Sequence, residues 1–148
     1  MRAEFMPKEQ NHTYEKLYYT LWELAGRYSG FCQFRAVGNS HDDRLIPMLE
    51  VGNGAQMIFC VAGIDGTQNL LPRLLIQMAE EYCRAYECGW QLEEFYEVKK
   101  LLDKIRICFL PLLNPDGYEI NQSGFSMIRN PIYRQMLRMQ SIPAKDFG

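Results

Sequence analysis

Apolar residues recur at helical spacing through Tyr14, Leu17, Tyr18, Leu21, Trp22, Ala25 and Tyr28. This spacing predicts an amphipathic helix with one apolar face, running to about Arg27. Thr13 reads as its N-cap and Glu15 as a carboxylate in the first turn, with Ser29-Gly30 as the stop. The pattern then becomes strand-like over residues 32–37 and again over Leu45–Val51. Gly38-Asn-Ser-His-Asp-Asp43 between them supplies turn residues, so the two form an antiparallel hairpin. Residues 57–62 are continuously apolar, the pattern of a strand covered on both faces.

A long helix is predicted from Leu70 to about Ala85, with Leu71, Leu74, Leu75, Met78, Ala79 and Tyr82 on its buried side. Pro72 is tolerated near its start, where an early N–H lacks a helical partner in any case. Cys88-Gly89 breaks the chain, and a shorter helix carrying Glu93, Glu94, Glu97, Lys99 and Lys100 runs to about Lys104. Residues 105–112 form another buried strand, ended by the turn Asn114-Pro115-Asp116-Gly117. Beyond it the pattern is mixed, with a short helix around residues 132–139. Residues 1–12 are polar and irregular and read as a flexible N-terminus.

The order helix, hairpin, strand, long helix, strand indicates an α/β fold: a three-layer α/β/α arrangement on a mixed parallel and antiparallel sheet. The crossover from residues 57–62 to 105–112 is expected to be parallel and right-handed.

The 148 residues fit one domain, and 47% hydrophobic against 23% charged is an ordinary globular balance. A net charge of -2 gives no electrostatic case for nucleic acid or an anionic membrane as partner. No apolar run reaches the roughly 20 residues of a membrane helix. The first ten residues lack the apolar core of a signal peptide, so the cytoplasm is the default, and secretion stays open if the N-terminus is incomplete. The five cysteines (Cys32, Cys60, Cys83, Cys88, Cys108) include no CxxC pair and read as structural thiols.

Neither GxGxxG nor GxxxxGK[ST] is present, so nucleotide chemistry has little support, and no GxSxG elbow occurs. His12 and His41 fall near the terminus and in the hairpin loop, without ligand or triad spacing. Ser40 and Arg44 read as structural residues of the hairpin. Two loops remain, Gly63-Ile-Asp-Gly-Thr-Gln-Asn69 and Asn114-Pro-Asp-Gly-Tyr118, each following a buried strand. Open α/β sheets place their chemistry at the carboxyl ends of their strands.

Those loops carry a resemblance. Ala62-Gly63-Ile64-x-Gly66-Thr67-x-Asn69 before a long helix is similar to the zinc carboxypeptidase family, the carboxypeptidase A-like metallopeptidases. Tyr14 in a Tyr-x-x-Leu setting matches, as does Val37-Gly-Asn-Ser-His-Asp-Asp-Arg-Leu-Ile46 against Ile-Gly-x-Ser-x-x-Gly-Arg-x-Ile. Leu110-Pro-Leu-Leu-Asn-Pro-Asp-Gly-Tyr118 matches Pro-x-x-Asn-Pro-Asp-Gly-Tyr, and Arg129 stands at the spacing of the arginine that polarises the scissile carbonyl. The resemblance implies hydrolysis of C-terminal peptide bonds by zinc-activated water, with Arg129 stabilising the oxyanion. It covers nearly the whole chain, whereas residues 13–148 cover only about the first half of the family's catalytic domain. The carboxylate-gripping Asn-Arg pair, the third zinc ligand, the capping tyrosine and the glutamate base are missing.

Where the family has His-x-x-Glu as two zinc ligands, this chain has Asp65 and Gln68. Zinc takes nitrogen, thiolate or carboxylate donors, and a glutamine amide is a poor one that neutralises no charge. Two readings stand: loop hydrogen bonding, with Asp65 capping the turn, or a weaker site shifted toward manganese or magnesium. Asn114, Asp116 and Gly117 read as a structural loop beside the site. The chain by itself is therefore expected to be inactive. Peptides, including peptidoglycan-derived ones, are its expected partners. A non-catalytic peptide-binding pseudo-peptidase and an unrelated α/β interaction module are the alternatives. Half of a large sheet would also expose an edge strand and favour self-association.

Overall fold

The computed structural model describes residues 13–67, 69–89, 91–93 and 96–140. The flexible-terminus reading of residues 1–12 therefore lies outside the described residues. The first helix, α1 (Tyr14–Arg27), is capped by Thr13, whose side chain accepts a hydrogen bond from the Lys16 N–H. Its buried face is Tyr14, Leu17, Leu21 and Leu24, a clean i, i+3, i+4 stripe, with Tyr28 following in register. Trp22, expected on that face, is 58% exposed because it lies about 100° round the helix from Leu21.

Strands β1 (Cys32–Asn39) and β2 (Leu45–Val51) form the expected antiparallel hairpin, with an irregularity between Ala36 and Gly38. Strand β3 (Gln56–Val61) leads to helix α2 (Leu70–Cys88), which ends at Gly89 in the left-handed region. The expected helix from Glu93 onward is shorter than its charges suggested. Strands β4 (Gln91–Glu93) and β5 (Tyr96–Glu97) form a small antiparallel ribbon, and α3 (Val98–Lys104) begins only after it. Within α3, Val98 and Leu102 are buried in the core, one helical turn apart.

Strand β6 (Ile105–Leu110) is followed by α4 (Pro115–Ser123), a single 3-10 turn at Phe125–Met127, and α5 (Pro131–Gln140). Here the turn expected at residues 114–117 is the start of a helix. Asn114 accepts from the Gly117 N–H as an N-cap, and Pro115 occupies the first turn, where its missing N–H is harmless.

The main sheet has the order β1-β2-β6-β3, with β2 antiparallel to β1 and β6, and β3 parallel to β6. This mixed sheet with flanking helices is the architecture the sequence predicted. The parallel pairing of β3 with β6 removes the reading of an unrelated module, which required those strands to lie apart. Leu49 and Val51 of β2 and Ile107 and Phe109 of β6 point to one face, where they meet α1, α2, α3 and Tyr118 of α4 in the principal core. Met48, Cys108 and Leu110 form a smaller cluster on the opposite face.

Two burial expectations fail. The buried stripe of α2 is Pro72, Ile76, Ala79, Cys83 and Ala85, while Leu71 and Met78 are exposed. The fully buried Ala79 and Cys83 are small and let the helix axis approach its neighbours closely. Strand β3, expected to be covered on both faces, is an edge strand with most of its residues exposed. An apolar run records a tendency to be buried, but burial requires a neighbour, and among the described residues β3 has one on one side only. The five cysteines are free thiols. Among the described residues no helix is long and apolar enough to cross a membrane.

Candidate functional site

Three segments meet at the carboxyl end of β3 and β6: the loop after β3, the loop joining β6 to α4, and the hairpin tip between β1 and β2. Backbone bonds zip the first two together, Leu113 N–H to Ala62 O at 3.1 Å and Asn114 N–H to Gly63 O at 2.7 Å. Gly63 has φ +65°, and a Cβ there would lie 2.6 Å from the Pro111 carbonyl oxygen. Gly66 comes closer still to the α4 segment, since a Cβ on it would sit 2.3 Å from the Gly117 carbonyl carbon. Only glycine permits both approaches. The side chains of Asn69 and Asn121 close the other end, Nδ2 of Asn121 donating to Oδ1 of Asn69 at 2.9 Å.

The hairpin tip is held by a buried charged cluster. Arg44 Nη1 donates to Asp42 Oδ2 at 2.6 Å and to Asp116 Oδ1 at 2.9 Å, and its Nη2 donates to the Met127 carbonyl. Asp116 also accepts from Ser40 Oγ at 2.7 Å and from the Asp42 N–H at 3.1 Å. Asp42 in turn accepts from the backbone N–H groups of Arg129 at 2.8 Å and Asn130 at 2.9 Å. All three charged side chains are buried.

Burial alone pushes the Asp42 carboxyl up. The N–H bonds from Arg129 and Asn130, with the Arg44 guanidinium, outweigh it and hold the group below its ordinary value. Desolvation likewise acts to lower Arg44, and its bonds to Asp116 and Asp42 reverse that, leaving it even more firmly protonated. Asp42 is thus an ionised structural anchor at neutral pH. A general base needs a pKa near the working pH, so this cluster does not supply one through Asp42.

The sequence-predicted site residues separate into two groups. Asn114, Asp116 and Gly117 form the junction of loop and helix, as capping residue, buried carboxylate and point of closest backbone approach. Asp65 sits in the loop after β3, where its Oδ1 accepts the Thr67 N–H at 3.0 Å in an Asx turn. Gln68 lies outside the described residues. Arg129 is exposed, its backbone pinned by Asp42. Its side chain lines an open depression of about 280 Å³ with Tyr14, Tyr19, Asp43 and Leu45, a set that does not include Asp65.

Tyr14 is fastened there by its N–H to Glu119 Oε1 at 2.6 Å and by its hydroxyl to the Leu45 carbonyl at 2.5 Å. Burial, followed by the neighbouring Tyr18, pushes the Tyr14 hydroxyl up to about 12. Asp42 and Glu119 are the residues that sequence reasoning passed over. Asp42 lay in a run of ordinary turn formers, and nothing local marks a carboxylate whose partners stand 87 and 88 positions away.

The family model for zinc carboxypeptidases matches residues 17–140. The chain belongs to the zinc carboxypeptidase family. Human carboxypeptidase N catalytic chain is 25% identical over 134 residues, which cover 82% of this chain and 28% of that protein. Carboxypeptidase D of Anas platyrhynchos is 34% identical over 102 residues, covering 64% and 7% of the two chains. Among solved structures, bovine thrombin-activatable fibrinolysis inhibitor bound to tick carboxypeptidase inhibitor superposes with a TM-score of 0.64 at 18% identity, covering 77% of this chain and 34% of that one. Carboxypeptidase A of Helicoverpa armigera gives 0.59 at 17% identity, covering 80% and 30%. The chain therefore spans about a third or less of these relatives.

A zinc carboxypeptidase site needs a donor set for the metal, and the residues present do not fit one. Catalytic zinc takes three protein ligands of imidazole, thiolate or carboxylate type. Asp65 and Gln68, which the sequence resemblance sets at ligand positions, offer a carboxylate that accepts the Thr67 N–H and a neutral amide. Among the described residues no three His, Cys, Asp or Glu side chains converge on one point.

Proposed function

We propose that this chain keeps the supporting frame of a zinc carboxypeptidase site and does not, by itself, hydrolyse C-terminal peptide bonds through zinc. The donor set carries this reading: Asp65 is a short carboxylate with one oxygen in an Asx turn, and Gln68 offers a neutral amide that brings no charge. The frame supports this reading: Gly66 packs against Gly117, joining the loop after β3 to α4, and Arg44 ties the hairpin tip to Asp116 of α4. The ligand class is a peptide, with Arg129 as an exposed cation for a peptide carbonyl or carboxylate oxygen. The inhibitor complex of the bovine relative supports binding of this general kind.

The test is release of a C-terminal residue from peptides with a free or an amidated C-terminus, with zinc added and with a chelator. No zinc-dependent release is expected from this chain. Chelator-sensitive release confined to peptides with a free C-terminus overturns the proposal. Replacing Asp65→His together with Gln68→Glu is expected to raise zinc affinity at least tenfold by calorimetry. Unchanged affinity shows that this is not the ligand loop.

A further inference from the structure

Cys32 is the first residue of β1, and Cys83 lies toward the end of α2. Both belong to the principal core, 3% and 0% exposed. Cys32 stands opposite Val51 of β2, so its side chain shares the face that Val51 turns toward the helices. Cys83 follows Ala79 by one turn on the buried stripe of α2, and the small size of both brings this part of the helix close to the sheet. The two thiols meet there, Cys83 donating a hydrogen bond to the Cys32 sulfur.

Contacts on both flanks fix the meeting independently. Phe31, next to Cys32, places its ring 4.0 Å from that of Tyr86 on α2. Tyr86 lies on the same side of the helix as Cys83, at i, i+3. Its hydroxyl donates to Asp103 Oδ1 at 2.8 Å and accepts from Asn53 Nδ2 at 3.3 Å. The Gly52 N–H donates to the Phe31 carbonyl at 2.8 Å, tying the start of β1 to the end of β2.

The other cysteines are not arranged this way. Cys60 and Cys108 lie in adjacent strands, but the register sets Cys60 beside Phe109 and Cys108 beside Phe59. That stagger turns them to opposite faces, Cys60 against the principal core and Cys108 in the smaller cluster. Cys88 is exposed at the end of α2.

We propose that Cys32 and Cys83 form an oxidative modification site, closed to an intramolecular disulfide by a peroxide. The hydrogen bond to Cys32, with burial, pushes the Cys83 thiol up, so Cys83 keeps its proton and Cys32 is the nucleophile. The Cys32 thiolate attacks one peroxide oxygen and the O–O bond breaks. The leaving hydroxide takes the proton that Cys32 gave up and becomes water. The Cys83 sulfur then attacks the sulfenic sulfur of Cys32, the S–O bond breaks, and the hydroxyl departs as water with the Cys83 proton. The thiols are oxidised, the peroxide is reduced, and one S–S bond replaces two S–H bonds.

Closure brings the sulfurs to about 2.05 Å, and Cys32 stands at a strand end, where the ladder yields most easily. The cross-link encloses β1, β2, β3 and the loop carrying Asp65, and it staples the start of the sheet to α2. A long closed loop removes freedom from the unfolded chain, so the oxidised form is the more stable one.

Peptide mapping of the full chain after hydrogen peroxide treatment and thiol blocking reads the site. A Cys32–Cys83 linked pair within one chain is expected, with a rise in unfolding temperature of about 5 °C or more that dithiothreitol reverses. Cys83→Ala is expected to abolish the pair and the rise, and Cys60→Ala to leave both. In urea, where the fold no longer aligns the sulfurs, the same dose is expected to give mixed pairings. Absence of the linked pair at a dose that oxidises Cys88 overturns the proposal, as does a yield of the pair no higher in the folded chain than in urea. If Cys83→Ala fails to fold, the comparison of folded with urea-treated wild type decides alone.

Discussion

Gly66 lies against Gly117 so closely that a methyl group on the first would stand 2.3 Å from the carbonyl carbon of the second. The loop after β3 and the first turn of α4 are thus joined by backbone contact, with no side chain between them. This contact places Asp65 relative to Asn114 and Asp116, and it depends on a residue type more than on any bond.

Gly66→Ala is expected to destabilise the chain by about 1–3 kcal/mol, because rigid backbone must shift to admit the methyl group. Gly26→Ala in α1 is the counterpart. It meets nothing within 4 Å, so the added methyl is expected to stabilise by about 0.4–1 kcal/mol. Urea titrations of both variants check the opposite signs.

Asp42→Asn leaves Arg44 buried with a weakened partner and is expected to lower stability by about 3–5 kcal/mol. The pH dependence follows from the depressed carboxyl. Asp42 binds its proton less readily folded than unfolded, so its contribution is complete above the ordinary carboxylate value and is lost as pH falls through the lower folded value. Wild-type stability is expected to fall below about pH 4, and the Asn variant to show a shallower acid slope. Denaturation midpoints between pH 2.5 and 7 measure both.

Tyr14 behaves in the opposite sense at the alkaline end. Its hydroxyl titrates at about 12 when folded against 10.0 for an ordinary tyrosine. Its contribution is therefore complete below the unfolded value and disappears as pH rises from 10 toward 12. Tyr14→Phe leaves the Leu45 carbonyl without this donor and is expected to cost about 1–2 kcal/mol near neutrality. It is also expected to remove part of the alkaline loss above pH 10. Spectrophotometric titration of the phenolates, wild type against variant, isolates the group.

Asp65→Ala removes one exposed bond to the Thr67 N–H, with an expected effect of about 0.5–1 kcal/mol. Zinc added to the wild-type chain is expected to leave the unfolding temperature unchanged, since a ligand stabilises only in proportion to its binding of the native state. A rise of several degrees that disappears in Asp65→Ala would show Asp65 acting as a ligand.

Sequence by itself determined those features whose causes are local. The stripe of α1 and its Thr13 cap, the hairpin of β1 and β2, and the apolar runs of β3 and β6 were all legible, because periodicity and capping act within a few residues. The family resemblance was legible for the same reason, since its motifs are short loop segments. The start of α4 was present in Asn114-Pro115, a cap followed by a first-turn proline, but the same letters also make a turn. Only the tertiary structure decided which face of α2 is buried, because small residues such as Ala79 and Cys83 permit close approach where large ones do not. Only it showed β3 at the edge of the sheet formed by the described residues, since burial is a property of neighbours. And only it joined Asp42 to Arg129 and Asn130, bonds between positions too far apart for any local pattern to record.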